Sequence, residues 1–193
     1  MDEALHTVTR LWRGEEITEQ AKFWDLTGLR LDPTPIQQPL PVWVGGGLPA
    51  IERTARDGQV LLANGTISSE LRDRLADAAD RYGRQVSLAQ INFLAVVDAE
   101  HELRAEVLPL ARLFAGRDSR TLVPPEEQFI VGTPERCAAQ IHSLLSSGVD
   151  YLVLDASFFG NLSLSHTRGQ WRRLVEDVLP LVGNPRPPTV ATA

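Results

Sequence analysis

The stretch that decides the fold is PVWVGGGLPAIERTARDG, residues 41–58. A short apolar run meets three consecutive glycines, Gly45 to Gly47, and a helical pattern then opens on Pro49. No lysine follows the glycines, which excludes the phosphate-binding loop whose lysine reaches the nucleotide phosphates. The order of strand, glycine turn and helix predicts one βα unit.

Working outward from this unit, apolar strands alternate with amphipathic helices. Such alternation predicts right-handed βαβ units and a parallel sheet of the α/β class, with residues 1–183 as one domain and 184–193 as a flexible tail. Prolines at positions 33, 35 and 39 predict an extended, ordered connection over 15–40. We expect strands at 41–44, 59–63, 86–97 and 149–155, helices at 2–13, 48–57, 71–82, 103–114, 134–147 and 165–179, and an irregular segment at 117–131. Thr133 and Pro134 predict the N-cap and first position of the helix at 134–147. In the helix at 165–179 the spacing of Trp171, Leu174, Val175 and Val178 predicts the inward face.

Composition excludes several classes of partner. The 193 residues carry a formal charge of −6 without any basic cluster, so neither nucleic acid nor an anionic membrane surface is expected to bind. The N-terminus does not resemble a signal peptide and no apolar run could span a bilayer, which predicts a cytoplasmic protein. The single cysteine, Cys137, cannot form an internal disulfide and falls on the apolar face of its helix, where a thiol packs as a small hydrophobe.

The glycine turn has three interpretations. Parallel sheets bind ligands beyond the carboxyl ends of their strands, so backbone amides at Gly45–Gly47 and the next helix could hold a phosphate. The glycines could instead only form a tight turn. The spacing Gly45-x-Gly47-x-x-Ala50 also fits the dinucleotide fingerprint, but that motif requires an acid after the next strand, where Asn64 stands.

Other candidate site residues are isolated. Asn64 and Asp155 end predicted strands at the ligand edge, as helix caps or as ligand contacts, and His166 follows the last strand there. His6 and His142 fall on helices, at the expected surface. No spacing of His, Asp or Glu predicts a metal site, and no nucleophile–base pair is recognisable, so catalytic residues stay unassigned.

Two stretches, LDPTPIQQPLPVWVGGG (31–47) and VGTPERCAAQIHSLLSSGVDYLVLD (131–155), resemble the luciferase-like flavin-dependent monooxygenases. DEALHTVTRLWRGEEIT (2–18) and WRRLVEDVLP (171–180) match the same family in kind and order. The resemblance implies a (β/α)₈ barrel that binds flavin mononucleotide (FMN) or the deazaflavin coenzyme F420 at its C-terminal face. It assigns Gly46, Gly47 and Ala50 to the cofactor phosphate, and Gly45 and Asn64 lie in the same layer.

The activity that this resemblance implies is oxygenation of a small organic substrate by a reduced flavin. Deazaflavin-dependent hydride transfer is the variant within the family. The visible strands correspond to the fifth to eighth of such a barrel, and the first four have no counterpart. A non-catalytic half-barrel that serves as a subunit or interaction module is therefore the alternative. We expect two open sheet edges, an exposed apolar inner face, and a homo-oligomer or a complementing N-terminal half as partner.

Overall fold

A computed structural model describes residues 2–64, 67–99, 129–157 and 162–183. The helix predicted at 103–114, residues 117–128 of the irregular segment and the tail lie outside the described residues. The helices are α1 (Asp2–Trp12), α2 (Ile51–Asp57, after a 3₁₀ turn at Leu48–Ala50), α3 (Ser69–Tyr82), α4 (Pro134–Ser146), α5 (Leu164–Arg173) and α6 (Leu179–Val182), with a π-helical turn at Leu174–Val178 between the last two. The strands are β1 (Ile17–Gln20), β2 (Asp25–Leu29), β3 (Trp43–Gly45), β4 (Val60–Asn64), β5 (Ser87–Val96), β6 (Phe129–Gly132) and β7 (Tyr151–Asp155).

Five of these strands form one parallel sheet, which confirms the predicted α/β class. Strand β5 is its centre: it pairs with β4 along one edge and with β7 along the other, and its last residues pair with β6. Strand β3 pairs with β4. Among the described residues β3 has no second partner strand, and neither has β7, so the two predicted edges are open there.

The sheet is curved like an arc of a barrel. Strands β3 and β7 are separated by two strands, which in a flat sheet would hold them about 14 Å apart. Nevertheless the rings of Trp43 and Tyr151 lie 5.1 Å apart between centroids. Side chains from these two strands can meet only if the sheet wraps around them, and a partial barrel has this geometry.

Helices cover the convex face of the arc. One apolar cluster joins β3 and β4 to α2 and α3, and a second joins the end of β5 and β6 to α4, the π-turn and α6. Leu88, Leu94 and Val96 belong to these clusters, so alternate residues of β5 face the concave side. There Phe93 is 2% exposed and packs 5.3 Å from Phe129. Our expectation that the phenylalanines of the inner face would be exposed is wrong for this pair, because the curvature brings side chains together.

The connection predicted over 15–40 contains an antiparallel hairpin, β1 with β2. Glu19 of β1 fixes it to α1: its carboxylate accepts hydrogen bonds from Thr7, from Arg10 Nη1 at 2.9 Å and from Trp24 Nε1 at 3.4 Å. These bonds hold the pKa of Glu19 below its ordinary value, the hydroxyl of Thr7 being the largest cause. The hairpin is thus stabilised by its neighbour helix, which a two-stranded sheet needs.

Two further differences concern strand β6 and the last helix. Residues 129–131, predicted to be irregular, form β6 because β5 offers them a pairing edge. Along α5, the π-turn and α6, which together form the last helix, the buried residues are Gln170, Leu174, Val178 and Val182. Trp171 and Val175, which were predicted to be in the core, are 42% and 58% exposed. Pro180 has no N–H for the carbonyl four residues earlier, and the π-turn there makes the buried positions recur every four residues.

Candidate functional site

The glycine turn joins β3 to the helix that follows. The N–H of Gly46 donates to the carbonyl of Leu62 on β4 at 3.0 Å, which continues the sheet by one residue. Its φ is +147°, and a Cβ at this position would lie 2.9 Å from the Cβ of Ala50. Only glycine allows this close approach of the turn to the helix.

Two amides of the turn have no hydrogen-bond partner among the described residues. The N–H of Ala50 donates to the carbonyl of Gly47 at 2.9 Å, so the N–H groups of Gly46 and Ala50 are both hydrogen-bonded within the protein. Gly47 and Leu48 open the helical turn, where N–H groups have no partner within the helix, and no hydrogen bond to them occurs within the described part of the chain. Pro49 has no N–H. The predicted phosphate donors thus reduce to Gly47 and Leu48, of which Leu48 was not predicted.

Space is available beside the Cα atoms of Gly45 and Gly47. A Cβ built on Gly45 or on Gly47 would meet no atom within 4 Å. The φ and ψ of Gly47, −110° and −139°, lie outside the usual helical and extended regions, and its lack of a side chain leaves the space open. An anion could therefore approach the backbone closely.

The end of β4 lies beside the turn. Gly45 is the register partner of Leu62, and Asn64 ends β4 two residues further on, next to Ile91 of β5. The backbones of Asn64 and of the glycine turn therefore share the C-terminal edge of the sheet, as predicted.

Asp155 ends β7 at the same edge, where its carboxylate closes a local turn. Its Oδ1 accepts hydrogen bonds from the backbone N–H of Ser157 at 2.7 Å and from the Ser157 hydroxyl at 2.6 Å. His166 lies in the first turn of α5, half-buried, and its backbone N–H donates to Ser163 Oγ at 3.2 Å. His6 and His142 are exposed, as predicted.

A side-chain clamp on the end of β5 was missed. The buried amide of Gln170 on α5 accepts from the Val96 N–H at 2.7 Å and donates to the Val96 carbonyl at 3.2 Å. Arg173 donates to the same carbonyl at 3.0 Å and pairs with Asp98. The sequence signal that could have revealed it is the spacing of Gln170, which stands four positions before the buried Leu174 and eight before the buried Val178. The clamp fixes β5 at the C-terminal edge of the sheet.

Two cavities are lined by other parts of the chain as well. One of about 570 Å³ between α2 and α3 includes Leu48 of the turn in its lining, and one of about 540 Å³ lies between α1, residues 38–42 and the end of α2; neither is lined by the three glycines. Burial raises the pKa of Cys137 to about 11, which is the opposite of an activated thiol. Within the described ranges no three His, Cys, Asp or Glu side chains meet as metal ligands, and no helix is long and apolar enough to cross a bilayer.

A family model described as luciferase-like monooxygenase matches residues 1–127, about two thirds of the chain. This chain belongs to the luciferase-like monooxygenase family. The resemblance predicted from the sequence is thereby confirmed. A search of curated protein sequences finds no match.

Solved structures with the same fold support the partial barrel. The coenzyme F420-dependent tetrahydromethanopterin reductase from Methanopyrus kandleri has a TM-score of 0.74 at 14% identity, over 94% of this chain and 62% of its own. An F420-dependent secondary alcohol dehydrogenase, in complex with an F420–acetone adduct, gives 0.68 at 15% identity, over 94% and 61%. The oxygenating constituent of 3,6-diketocamphane monooxygenase from Pseudomonas putida, in complex with FMN, gives 0.60 at 16%, over 95% and 63%. At such identities the likeness shows the fold alone, and the chain spans about three fifths of the length of these proteins.

Proposed function

We propose that this chain holds the phosphate end of FMN in an oxidoreductase that oxygenates a small organic substrate; with coenzyme F420 in the same place the reaction would be hydride transfer. The observation that carries the proposal is the pair of helix-start amides at Gly47 and Leu48. They have no hydrogen-bond partner among the described residues and lie next to the open space at Gly45 and Gly47, at the C-terminal edge of a curved parallel sheet. Backbone donors at a helix start favour an anion, and the ligand edge of such sheets is the C-terminal one.

The residues of the turn fit a phosphate. Gly45, Gly46 and Gly47 bring no side chain, and residues 45–50 include no acid that would repel it. Gly46 and Ala50 contribute the shape of the turn rather than donors, and Asn64 borders it from β4. When bound, a reduced flavin supplies the electrons that activate oxygen, and a deazaflavin supplies a hydride. The role of this chain is to bind and orient the cofactor through its phosphate.

Specific observations favour two alternative functions. Hydride transfer with coenzyme F420 is favoured by the two F420-dependent proteins among the solved relatives. A non-catalytic interaction module is favoured by the open edges of β3 and β7 within the described sheet. For both oxidoreductase readings the proposed donors are the same, because each cofactor carries a phosphate.

The test compares FMN with riboflavin, which lacks the phosphate. We expect FMN to bind more tightly in a fluorescence titration. Gly47→Glu should remove this preference, because two like charges about 4 Å apart repel by about 1–4 kcal/mol between water and protein-surface dielectric. Gly169→Glu is the matched control, since Gly169 is exposed on α5 with open space around its Cα and the same charge is added there.

Equal affinity of the unmodified chain for FMN and riboflavin would contradict the phosphate assignment. Equal loss of binding in the two glycine variants would show that net charge, and not the site, is responsible.

A further inference from the structure

The cavity of about 540 Å³ between α1, residues 38–42 and the end of α2, here called the α1 cavity, lies far from the glycine turn. Residues 38–42 precede β3, and Gln59 and Arg84 of its lining precede β4 and β5, so it is at the N-terminal edge of the sheet. Asp2 of α1 pairs with Arg53 of α2 at 2.5 Å, which joins the two helices that enclose it. A volume of this size is typical of small-molecule sites.

One side of the α1 cavity is apolar. Leu5 and Trp12 of α1 pack against the core cluster of α2 and α3 and are only half-buried, with the cavity beside them. Leu40, also half-buried, lines the cavity from the segment before β3. A ligand with an apolar body would remove this surface from water, which is favourable in proportion to the area buried.

The cavity also contains an arginine without an acidic partner. Arg84 is half-buried, donates from Nη1 to the carbonyl of Arg56 at the end of α2, and forms no ion pair with any described residue. A guanidinium has five N–H donors, so one bond leaves four available. The other two arginines of the lining are neutralised. Arg56 bonds Asp57 through Nη2 at 2.6 Å, and Arg13 bonds Glu15 through Nε at 3.1 Å.

Gln59 adds a second donor to the same lining. Its Oε1 accepts from the backbone N–H of Val42 at 2.6 Å, which fixes the amide, and its Nε2 has no hydrogen-bond partner within the described ranges. Among the described lining residues the one acid is Asp57, which Arg56 neutralises. A charged donor and a neutral donor beside an apolar wall are complementary to a carboxylate on an apolar body.

We propose that the α1 cavity binds a small monocarboxylate with an aromatic or branched aliphatic body. The carboxylate contacts Arg84 and Gln59, and the body packs on Leu5 and Trp12. One arginine without an acidic partner favours a single negative charge, because further charges would be desolvated without compensation. This site is at the edge of the sheet opposite the glycine turn, so the inference does not depend on the proposed cofactor phosphate.

Arg84 also borders a second groove, of about 460 Å³, between α3 and the start of β5. Asp80 and Asp150 line that groove, and their carboxylates disfavour an anion there. The α1 cavity is therefore the side on which Arg84 can bind a carboxylate.

The test is a ¹H–¹⁵N titration of the full chain with 3-phenylpropionate, and with the neutral 3-phenylpropionamide as the matched ligand. The acid should shift the indole resonance of Trp12 and the side-chain amide of Gln59, with a dissociation constant of about 0.1–1 mM for a ligand of this size. The amide should bind at least about tenfold more weakly, because a charge-assisted hydrogen bond becomes a neutral one. Saturating FMN should not displace the acid, and a chain that fails to bind FMN should still bind it.

Three variants complete the design. Arg84→Gln should weaken binding of the acid about 10- to 100-fold and leave that of the amide nearly unchanged. Arg168→Gln, which removes the same charge at an exposed position of α5, should change neither. Thr9→Trp should abolish binding of both ligands by filling the cavity, since Thr9 lines it and its hydroxyl bonds only to carbonyls of its own helix. Circular dichroism checks that each variant is folded.

Equal affinity for the acid and the amide would overturn the inference, as would binding of the acid that Arg84→Gln and Arg168→Gln weaken alike. Binding that survives in folded Thr9→Trp, or resonance shifts confined to another surface, would place the ligand elsewhere. Displacement of the acid by FMN would show that the cavity is not a separate site. The absence of any shift up to about 10 mM acid, tenfold above the weakest expected constant, would equally refute it.

Discussion

At the scale of the residue, the burial of Cys137 shows why its thiol packs in the core and is not activated. Cys137 is completely buried, and its thiol donates to the carbonyl of Gly132 at 3.5 Å. Desolvation raises its pKa from 9.0 to about 11, against smaller opposing effects of Arg173 and Arg136. Its burial, unlike the donors at Gly47 and Leu48, could be predicted from the helical pattern, because an apolar neighbour every three or four residues already indicates the buried face.

Cys137 should accordingly react with Ellman's reagent at pH 8 at least 100-fold more slowly in the folded chain than in urea, since the thiolate is a minor species well below its pKa. Folding favours the neutral thiol, so this group's contribution to stability is complete below pH 9 and decreases as pH rises toward 11. Reaction as fast as that of a free thiol, in a chain shown by circular dichroism to be folded, would contradict its placement.

The elements differ in how far local sequence determines them. Thr133 and Pro134 predicted the start of α4, and the structure has Thr133 as the N-cap of that helix, because capping is a local interaction. Strand β1 was missed because Ile17–Gln20 is mostly polar and is held by side chains of α1. Strand β6 depends on pairing with β5, which is distant in sequence. Trp171 and Val175 were assigned to the core from a regular helical period, which the π-turn changes.

The attachment of α5 to β5 can be tested at Gln170. Gln170→Leu retains the size of the side chain but leaves the N–H and carbonyl of Val96 without its amide, which should lower the free energy of unfolding by about 1–3 kcal/mol. Gln85→Leu, at an exposed position, is the control and should change it by less than about 0.5 kcal/mol. Urea unfolding measures both, and amide exchange at Val96 should accelerate only in the first variant. Equal effects of the two substitutions would show that the clamp contributes nothing specific.

At the scale of the whole molecule, the contact between Trp43 and Tyr151 shows that these strands keep a barrel-like curvature, and the C-terminal ends of β3, β4, β5 and β7 lie at one edge of the sheet. Alternating strands and helices predicted the class, and family resemblance predicted the barrel. The choice of donors required the structure, since the sequence does not reveal that Gly46 and Ala50 bond internally.

The most direct measurement is a ¹H–¹⁵N correlation spectrum of the chain titrated with FMN, with riboflavin as the comparison. The account predicts that FMN shifts the amide resonances of Gly47 and Leu48 most strongly, as expected when a backbone N–H donates to an anion. Smaller shifts are predicted for Gly46 and Ala50, whose amides donate internally, and riboflavin should leave Gly47 and Leu48 nearly unchanged. Shifts confined to another surface, such as the groove between α1 and α2, or equal shifts with both ligands, would contradict it.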